Sequence, residues 1–315
     1  MSEWEDRRVD RRQALKAAGA VALGWAASSS VPLLSAPGLE EKPKKRILMY
    51  TRSQGFEHSA VKRKGDELSF AEKLMVDLGP SRGFEVTATK DGRLFTEDNL
   101  ARYDAFFFYS SGDPTAQGGD GAPPMPPEGK RAFLEAVASG KGFVGTHCAN
   151  DTFHSAGHRF ETQKEEERDP FIRMLGGEFI SHGPQQAAVM RVASPRFPGC
   201  GDLGESFSLF EEWYSNKNFL SDLHVILVQE TKGMKGSDYQ RPPFPSTWAR
   251  RHKKGRVFYT SMGHREDVWT NPIFQKILLG GIDWALGRVE ADVMPNISAV
   301  TPEAAKLPPR PGKES

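Results

Sequence analysis

Short apolar segments alternate with helical patterns in the first half of the chain, which predicts βαβ units and a parallel sheet between helices. Apolar runs typical of buried strands occupy residues 46–51, 84–87, 105–109 and 142–146. Apolar residues at helical spacing predict helices between them, over residues 66–78, from residue 96 and over residues 128–139. Residues 112–127 are rich in proline and glycine, so we predict a loop there.

The pattern changes beyond residue 185. Residues 187–192 and 225–228 are predicted strands separated by long loops, residues 248–260 predict a β-hairpin, and residues 272–286 predict a closing helix with one apolar face. The fold class is therefore α/β, with a mainly parallel central sheet in a three-layer α/β/α arrangement and a β-hairpin addition near the C-terminus. Residues 288–315 contain five prolines and few large apolar residues, which predicts an irregular C-terminal tail.

Residues 1–36 have the pattern of an export signal peptide. Arg11 and Arg12 precede residues 17–27, which contain only Ala, Gly, Val, Leu and Trp. This run is far shorter than the roughly 20 residues that cross a bilayer, so it resembles the apolar region of a secretory signal. The arginine pair is similar to a twin-arginine signal, with an ordinary leader or a disordered basic tail as alternatives. We expect a periplasmic or secreted protein with a linker over residues 37–45 and no membrane span in its mature form.

The charge balance and the cysteine count exclude several classes of protein. The chain has 42 Lys and Arg against 41 Asp and Glu, and the excess lies within residues 1–36, so the mature chain is formally neutral. Neutrality argues against nucleic-acid binding and is compatible with an uncharged ligand such as a sugar. Two cysteines without a CxxC motif provide neither a disulfide scaffold nor a zinc finger. No pattern in the sequence determines the oligomeric state.

Four histidines lie near predicted strand ends, where open α/β sheets bind their ligands. His58 follows the first strand, His147 directly follows the fourth, His264 follows the hairpin, and His182 follows a Gly-Gly turn. We expect at least three of them to meet at one rim. Such imidazoles can act as general acids, general bases or metal ligands, and a divalent metal such as zinc would be held by His58, His147 and His264. The alternative for His147 is a side chain that only caps its strand.

The two cysteines and the histidine pair His154 and His158 are less typical of a functional site. Cys148 would need a lowered pKa and a nearby base to act as a nucleophile, whereas a lone cysteine is more often a small buried side chain. A disulfide between Cys148 and Cys200 has no support from their predicted positions. His154 and His158 have H-x3-H spacing, but Gly157 favours a loop over a metal-binding helix.

Acidic and aromatic residues complete the candidate set. Asp151 and Glu212 could orient a substrate or share proton transfer, although Glu211 and Glu212 would also fit a solvated surface pair. Aromatic rings can stack on a sugar, but they more often pack in the core or at a rim. The aromatic candidates are Trp213, Tyr214, Trp248 and Trp269.

Seven segments, in their order and spacing, resemble the ThuA-like (trehalose-utilisation) family. They are residues 54–59, 142–147, 175–182, 211–214, 245–248, 255–264 and 281–285. The resemblance covers residues 46–287 and defines a ThuA-like domain. It implies a class I glutamine amidotransferase-like α/β fold and an association with bacterial carbohydrate use, especially of oxidised (3-keto) disaccharides and glycosides.

The resemblance also selects site residues. The positions that match the family are His58, His147, Asp151, His182, Glu212 and His264. Amidotransferase relatives carry a cysteine where this chain has His147, so glutaminase activity is not expected. Arg196 in place of a common histidine, and Cys148 in place of a common serine, leave the substrate open.

Two hypotheses follow. In the first, an exported enzyme acts on a sugar or oxidised glycoside, with His147, Asp151 and Glu212 as catalytic residues. Binding residues would then be His58, His182, Trp213, Tyr214, Trp248 and His264. In the second, the same cleft belongs to a non-catalytic carbohydrate-binding or assembly module.

Overall fold

The computed structural model describes residues 44–310 and contains a large mixed sheet flanked by helices. The predicted export signal and most of the predicted linker lie outside the described residues. The strands are β1 Lys45–Tyr50, β2 Phe84–Thr89, β3 Ala105–Phe108, β4 Gly142–Thr146, β5 Glu178–His182, β6 Gln186–Val192, β7 Ser206–Glu211, β8 Tyr214–Lys217, β9 His224–Glu230, β10 Phe244–His252 and β11 Gly255–Thr260. The helices are α1 Phe70–Leu78, α2 Glu97–Ala101, α3 Pro127–Ala138, α4 Pro170–Leu175, α5 Glu266–Trp269, α6 Pro272–Ala285 and α7 Ile297–Val300.

Nine strands form one sheet in the order β2-β1-β3-β4-β11-β10-β9-β6-β7. The first five are mutually parallel, and the last four continue the sheet in antiparallel pairing. The predicted hairpin is β10–β11, and it joins the two halves because β11 pairs with β4 on one side and with β10 on the other. The carboxyl ends of β1, β4 and β11 therefore share one edge, which is where a ligand site is expected.

Alternating side chains of the parallel strands pack into two separate apolar cores, one on each face of the sheet. In β1, Ile47 and Met49 belong to the core that includes residues of α1 and α6, whereas Leu48 and Tyr50 belong to the core that includes residues of α3 and α4. All four side chains are essentially inaccessible to solvent. Burial on both faces explains the unbroken apolar runs of these strands and confirms the predicted α/β/α layering.

Two differences from the predicted elements have clear local causes. Helix α1 begins at Phe70 rather than near residue 66, because Ser69 accepts a bond from the Glu72 backbone N–H while the Glu72 side chain accepts one from the Ser69 N–H. This capping box fixes the start of the helix. Strands β5, β7 and β8 were not predicted. Strand β8 has the polar sequence Tyr-Ser-Asn-Lys, which is not the pattern of a buried strand, although its residues are buried.

The described part of the predicted tail contains the single turn α7 and otherwise irregular chain. It is held against the antiparallel half by side chains: Asn296 Oδ1 accepts a 2.6 Å bond from the Val225 N–H, and Arg241 Nη2 donates a 2.7 Å bond to the Ala304 carbonyl. Within residues 44–310, no helix combines the length and hydropathy that crossing a membrane requires.

Candidate functional site

His147 lies immediately beyond β4, in a backbone conformation that few residues with side chains adopt. Its φ angle is +45°, and a short 3₁₀ turn, His147–Asp151, follows. The ring is fully buried, and its Nδ1 lies 3.0 Å from the Ser261 carbonyl oxygen. Because a carbonyl only accepts, Nδ1 carries the proton and Nε2 presents a lone pair. The strained turn therefore holds one imidazole in a defined tautomer.

His58 approaches the same point from the loop after β1. It is 3% exposed, and its Nδ1 has no hydrogen-bond partner among the described residues. Its Nε2 lies 3.5 Å from the Tyr214 hydroxyl, and the His58 ring centroid is 4.8 Å from that of His147. A buried nitrogen without a hydrogen-bond partner is energetically costly, so His58 Nδ1 is available to bind a ligand.

Glu212 and His264 complete a cluster of four side chains. Glu212 follows β7, and His264 lies in the loop after β11. His264 Nδ1 lies 3.2 Å from His147 Nε2 and 3.2 Å from Glu212 Oε1, and that oxygen is 3.6 Å from His147 Nε2. Including His58, one potential ligand atom from each residue lies within 4.8 Å of all the others.

This spacing matches a tetrahedral metal site. Ligand atoms about 2.1 Å from a tetrahedral metal lie about 3.4 Å from one another, and the three separations among His147, Glu212 and His264 bracket that value. Three imidazole nitrogens and one carboxylate oxygen suit zinc or a similar first-row ion. The carbonyl of Ser261 on His147, and the Gln185 amide 2.9 Å from His264 Nε2, are outer partners of the kind that orient metal ligands.

The charges of these groups also favour a cation. Burial lowers the pKa of His58 well below its ordinary value, helped by the neighbouring His147 and His264, and burial lowers the pKa of His147. Burial alone would raise the pKa of Glu212, but the neighbouring His147 and His264 imidazoles outweigh it and lower that pKa strongly. Burial therefore favours the neutral, metal-binding forms of His58 and His147 beside an ionised Glu212 carboxylate.

Glu211 is not half of a solvated pair, because its side chain is fully buried. Its carboxylate accepts backbone N–H bonds from Glu212 (2.7 Å), Gly263 (2.9 Å) and His264 (3.1 Å). Burial raises its pKa to about 7, although these N–H donors oppose the change. Glu211 therefore connects the two segments that supply Glu212 and His264.

A pocket of about 440 Å³ opens onto the cluster. Its walls include Phe56, His58, Asp151, His182, Glu212 and Tyr214. The His182 side chain is 43% exposed, and its Nδ1 lies 3.5 Å from Glu212 Oε2. Asp151 lies outside the four-residue cluster. Its Oδ1 is instead hydrogen-bonded to His154 (2.5 Å) and Arg159 (3.1 Å). The structure thus brings the matched histidines and both acidic candidates to one cleft.

The proposed stacking roles of Trp213 and Trp248 are wrong, because both indoles are completely buried. Their N–H groups donate to the carbonyls of Gln186 (3.1 Å) and Leu175 (2.8 Å), which satisfies them inside the core. Trp269 is buried in the same way. The exposed aromatic ring of the cleft is Phe56, 71% accessible. Phe56 was not among the residues predicted from the sequence, although it lies two positions before His58 in the segment 54–59.

Cys148 lacks the environment of a nucleophile. It is fully buried, and burial raises the pKa of its thiol well above the ordinary value, so the thiolate is disfavoured. Cys200 is also a free, buried thiol. His154 and His158 do not act as a pair: His154 is bound between Asp151 and Glu178, whereas His158 Nδ1 accepts the Phe160 N–H.

Solved structures with a similar fold include ThuA-like proteins from two other organisms. The chain is 19% identical to one from Bacteroides uniformis, with a TM-score of 0.56 over 83% of this chain and 95% of that one. It is 18% identical to one from Parabacteroides merdae, with a TM-score of 0.51 over 81% and 95% of the two chains. No curated protein matches the chain in sequence. The sequence model of the ThuA family, described as trehalose utilisation, matches residues 46–285, and the chain therefore belongs to the ThuA family.

Proposed function

We propose that this protein is an enzyme of carbohydrate metabolism that acts on a sugar or an oxidised (3-keto) glycoside at a divalent metal centre. The observation that supports the proposal is the cluster of His58, His147, Glu212 and His264, whose donor atoms lie within 4.8 Å of one another beside a pocket of about 440 Å³. The trehalose-utilisation description of the family and the formal neutrality of residues 37–315 support a sugar as the ligand.

The cluster would bind the metal, and other residues of the cleft would contact the ligand. His58, His147, Glu212 and His264 would hold a divalent ion, and that ion would polarise a carbonyl or hydroxyl oxygen of the sugar by accepting it as a fifth ligand. His182 lies outside the cluster, is exposed in the cleft and is 3.5 Å from Glu212, so it is placed to exchange a proton with the ligand. Asp151 lines the same pocket and is held in position by Arg159, so it is placed to bind ligand hydroxyls.

Metal content and turnover test this proposal together. The purified protein should contain about one equivalent of zinc or a similar ion by elemental analysis, and His147→Ala and His264→Ala should abolish it. His252→Ala is the matched control, since His252 lies on β10 and outside the cluster. A screen of oxidised and unoxidised glycosides, with and without a chelator, should find turnover that both cluster variants lose.

A folded protein without metal and without chelator-sensitive turnover would refute the metal-dependent enzyme. Glycoside binding that survives His147→Ala without any turnover would instead support a non-catalytic binding module. Because Trp213 and Trp248 are buried, such a module would have to bind through other residues of the cleft.

We also propose that residues 1–36 direct export through the twin-arginine route. The support is the pair Arg11-Arg12 before the Ala- and Gly-rich run of residues 17–27. A reporter fused to these residues should reach the periplasm, and the double change of Arg11 and Arg12 to lysine should stop it. The same change at Arg7 and Arg8 is the control. Equal export by both double variants would contradict the twin-arginine assignment.

A further inference from the structure

A second pocket of about 480 Å³ adjoins the pocket at the cluster. The two share Phe56, Asp151 and Arg159 as lining residues, so these side chains form the boundary between them. The second pocket extends away from the cluster toward Gln54, Lys130 and Asp169. A ligand bound at the cluster could therefore continue past this boundary into a second compartment.

Phe56 is exposed although the loop that bears it is fixed. The Phe56 carbonyl accepts a 3.0 Å bond from Ser111 Oγ, and the Gln54 N–H donates a 3.0 Å bond to the Ser111 carbonyl. Gly112 lets the two loops approach closely, because a Cβ there would stand 2.3 Å from Gln54 Oε1 and its φ is +73°. An apolar ring that is 71% exposed on such a held loop offers a flat contact surface to a ligand.

The charges around the second pocket disfavour an anionic ligand, since Asp113 also lines it and its carboxylate is bound by Thr115 rather than by a cation. Lys130 Nζ is 2.7 Å from Asp169, and Arg159 Nη2 is 3.1 Å from Asp151, so both cations that line this pocket are already paired. The two bonds to Asp151 both use Oδ1. Its other oxygen has no hydrogen-bond donor among the described residues, which leaves it available to a hydroxyl group.

We propose that the second pocket is a subsite for a ring attached to the reacting sugar, and that Phe56 stacks on the apolar face of that ring. This inference rests on the proposed function, since it requires the reacting sugar at the cluster. The Phe56 ring meets the His58 ring edge-on with centroids 4.9 Å apart, so a ring stacked on Phe56 lies directly beside the cluster. The occupant has an apolar ring face and no negative charge, as a second pyranose or an aryl aglycone does.

Equilibrium binding of three uncharged probes to the purified full chain tests the subsite. They are methyl glucoside as a single ring, trehalose as two pyranoses, and phenyl glucoside as a pyranose with an aryl group. Phe56→Ala should weaken binding of a two-ring probe at least tenfold and change methyl glucoside binding less than twofold, while Phe56→Tyr should retain both. Phe70→Ala is the matched control, because Phe70 is also exposed but lines neither pocket.

The outcomes separate this inference from the proposed function. A tenfold loss confined to trehalose identifies a second sugar as the occupant, and one confined to phenyl glucoside identifies an aryl group. Equal effects of Phe56→Ala on one-ring and two-ring probes, or no effect on either, would overturn the subsite alone. If the wild type binds none of the three probes, the subsite for a second ring is overturned, whereas the proposed function is decided by metal content and by turnover of oxidised glycosides.

Discussion

Glu211 provides the sharpest test of how the fold holds the site. Its carboxylate is buried and accepts three backbone N–H bonds, from Glu212, Gly263 and His264. Two of these residues belong to the four-residue cluster. We predict that Glu211→Gln lowers both the stability of the protein and the metal affinity of the cluster.

The magnitude follows from the bonds. One amide oxygen can accept from Gly263 and His264, as Oε2 does now, but the amide NH₂ then faces the Glu212 N–H. One buried donor without a partner costs about 1–3 kcal/mol, which for a domain of this size lowers the Tm by roughly 4–8 °C if the cost is about 2 kcal/mol. Loosening a residue that orients metal ligands typically weakens metal binding about 10- to 100-fold.

Thermal unfolding and a competitive zinc titration at pH 8, above the pKa of Glu211, measure the two effects. Glu72→Gln is the control, because Glu72 is a buried carboxylate bound by Ser69, Thr51 and Arg63 and lies outside the cluster. It should lose stability and retain metal affinity. If Glu211→Gln lowers the Tm but binds zinc like the wild type, Glu211 stabilises the fold without positioning the ligands, and the reasoning is refuted.

The remaining predictions concern the body of the fold. Burial would raise the pKa of Glu72, but hydrogen bonds from Arg63 and Thr51 outweigh it and lower the pKa. The ionised Glu72 carboxylate should therefore stabilise the fold fully at neutral pH, and this contribution should disappear on acidification. Urea unfolding should therefore show Glu72→Gln about 3 kcal/mol less stable than the wild type at pH 7, and the difference should shrink below about pH 4; a constant difference would contradict the pairing. Iodoacetamide should leave Cys148 unmodified in the native protein and label it in denaturant, because burial disfavours its thiolate; rapid native labelling, read by mass spectrometry, would restore it as a candidate nucleophile. Gly281→Ala should cost about 1–3 kcal/mol, since a Cβ would stand 2.5 Å from the Phe258 ring, and an unchanged Tm would show that α6 can shift.

The parallel half of the sheet was predictable because its strands are buried on both faces. Residues 105–109 are apolar throughout, and the structure shows Ala105–Phe108 as a central strand with every side chain buried. The antiparallel half was less accessible to sequence reasoning. In β8, Lys217 is buried because its ammonium donates to the carbonyls of His158 and Glu161 and to Gln163 Oε1. No hydrophobic period can indicate such a strand, since its burial depends on partners more than 50 residues away.

The histidines of the cluster were predictable for a related reason. His58, His147 and His264 follow β1, β4 and β11, and the carboxyl ends of neighbouring parallel strands meet at one edge. The tryptophans were not, because residue type does not reveal whether an indole N–H will find a carbonyl inside the core. Trp213 and Trp248 both do, so their burial is favourable.

The residues after β11 support the site together, and not through His264 alone. Ser261 fixes the tautomer of His147 through its carbonyl, and Gly263 donates its N–H to Glu211. The Gly263 carbonyl accepts bonds of 2.8 Å from the Tyr109 hydroxyl and from the Trp269 indole. Its φ of +120° is open to glycine and strained for other residues. His264 is therefore held in position by backbone groups of the residues before it. A larger residue at position 263 would strain the backbone next to His264 and so disturb the cluster.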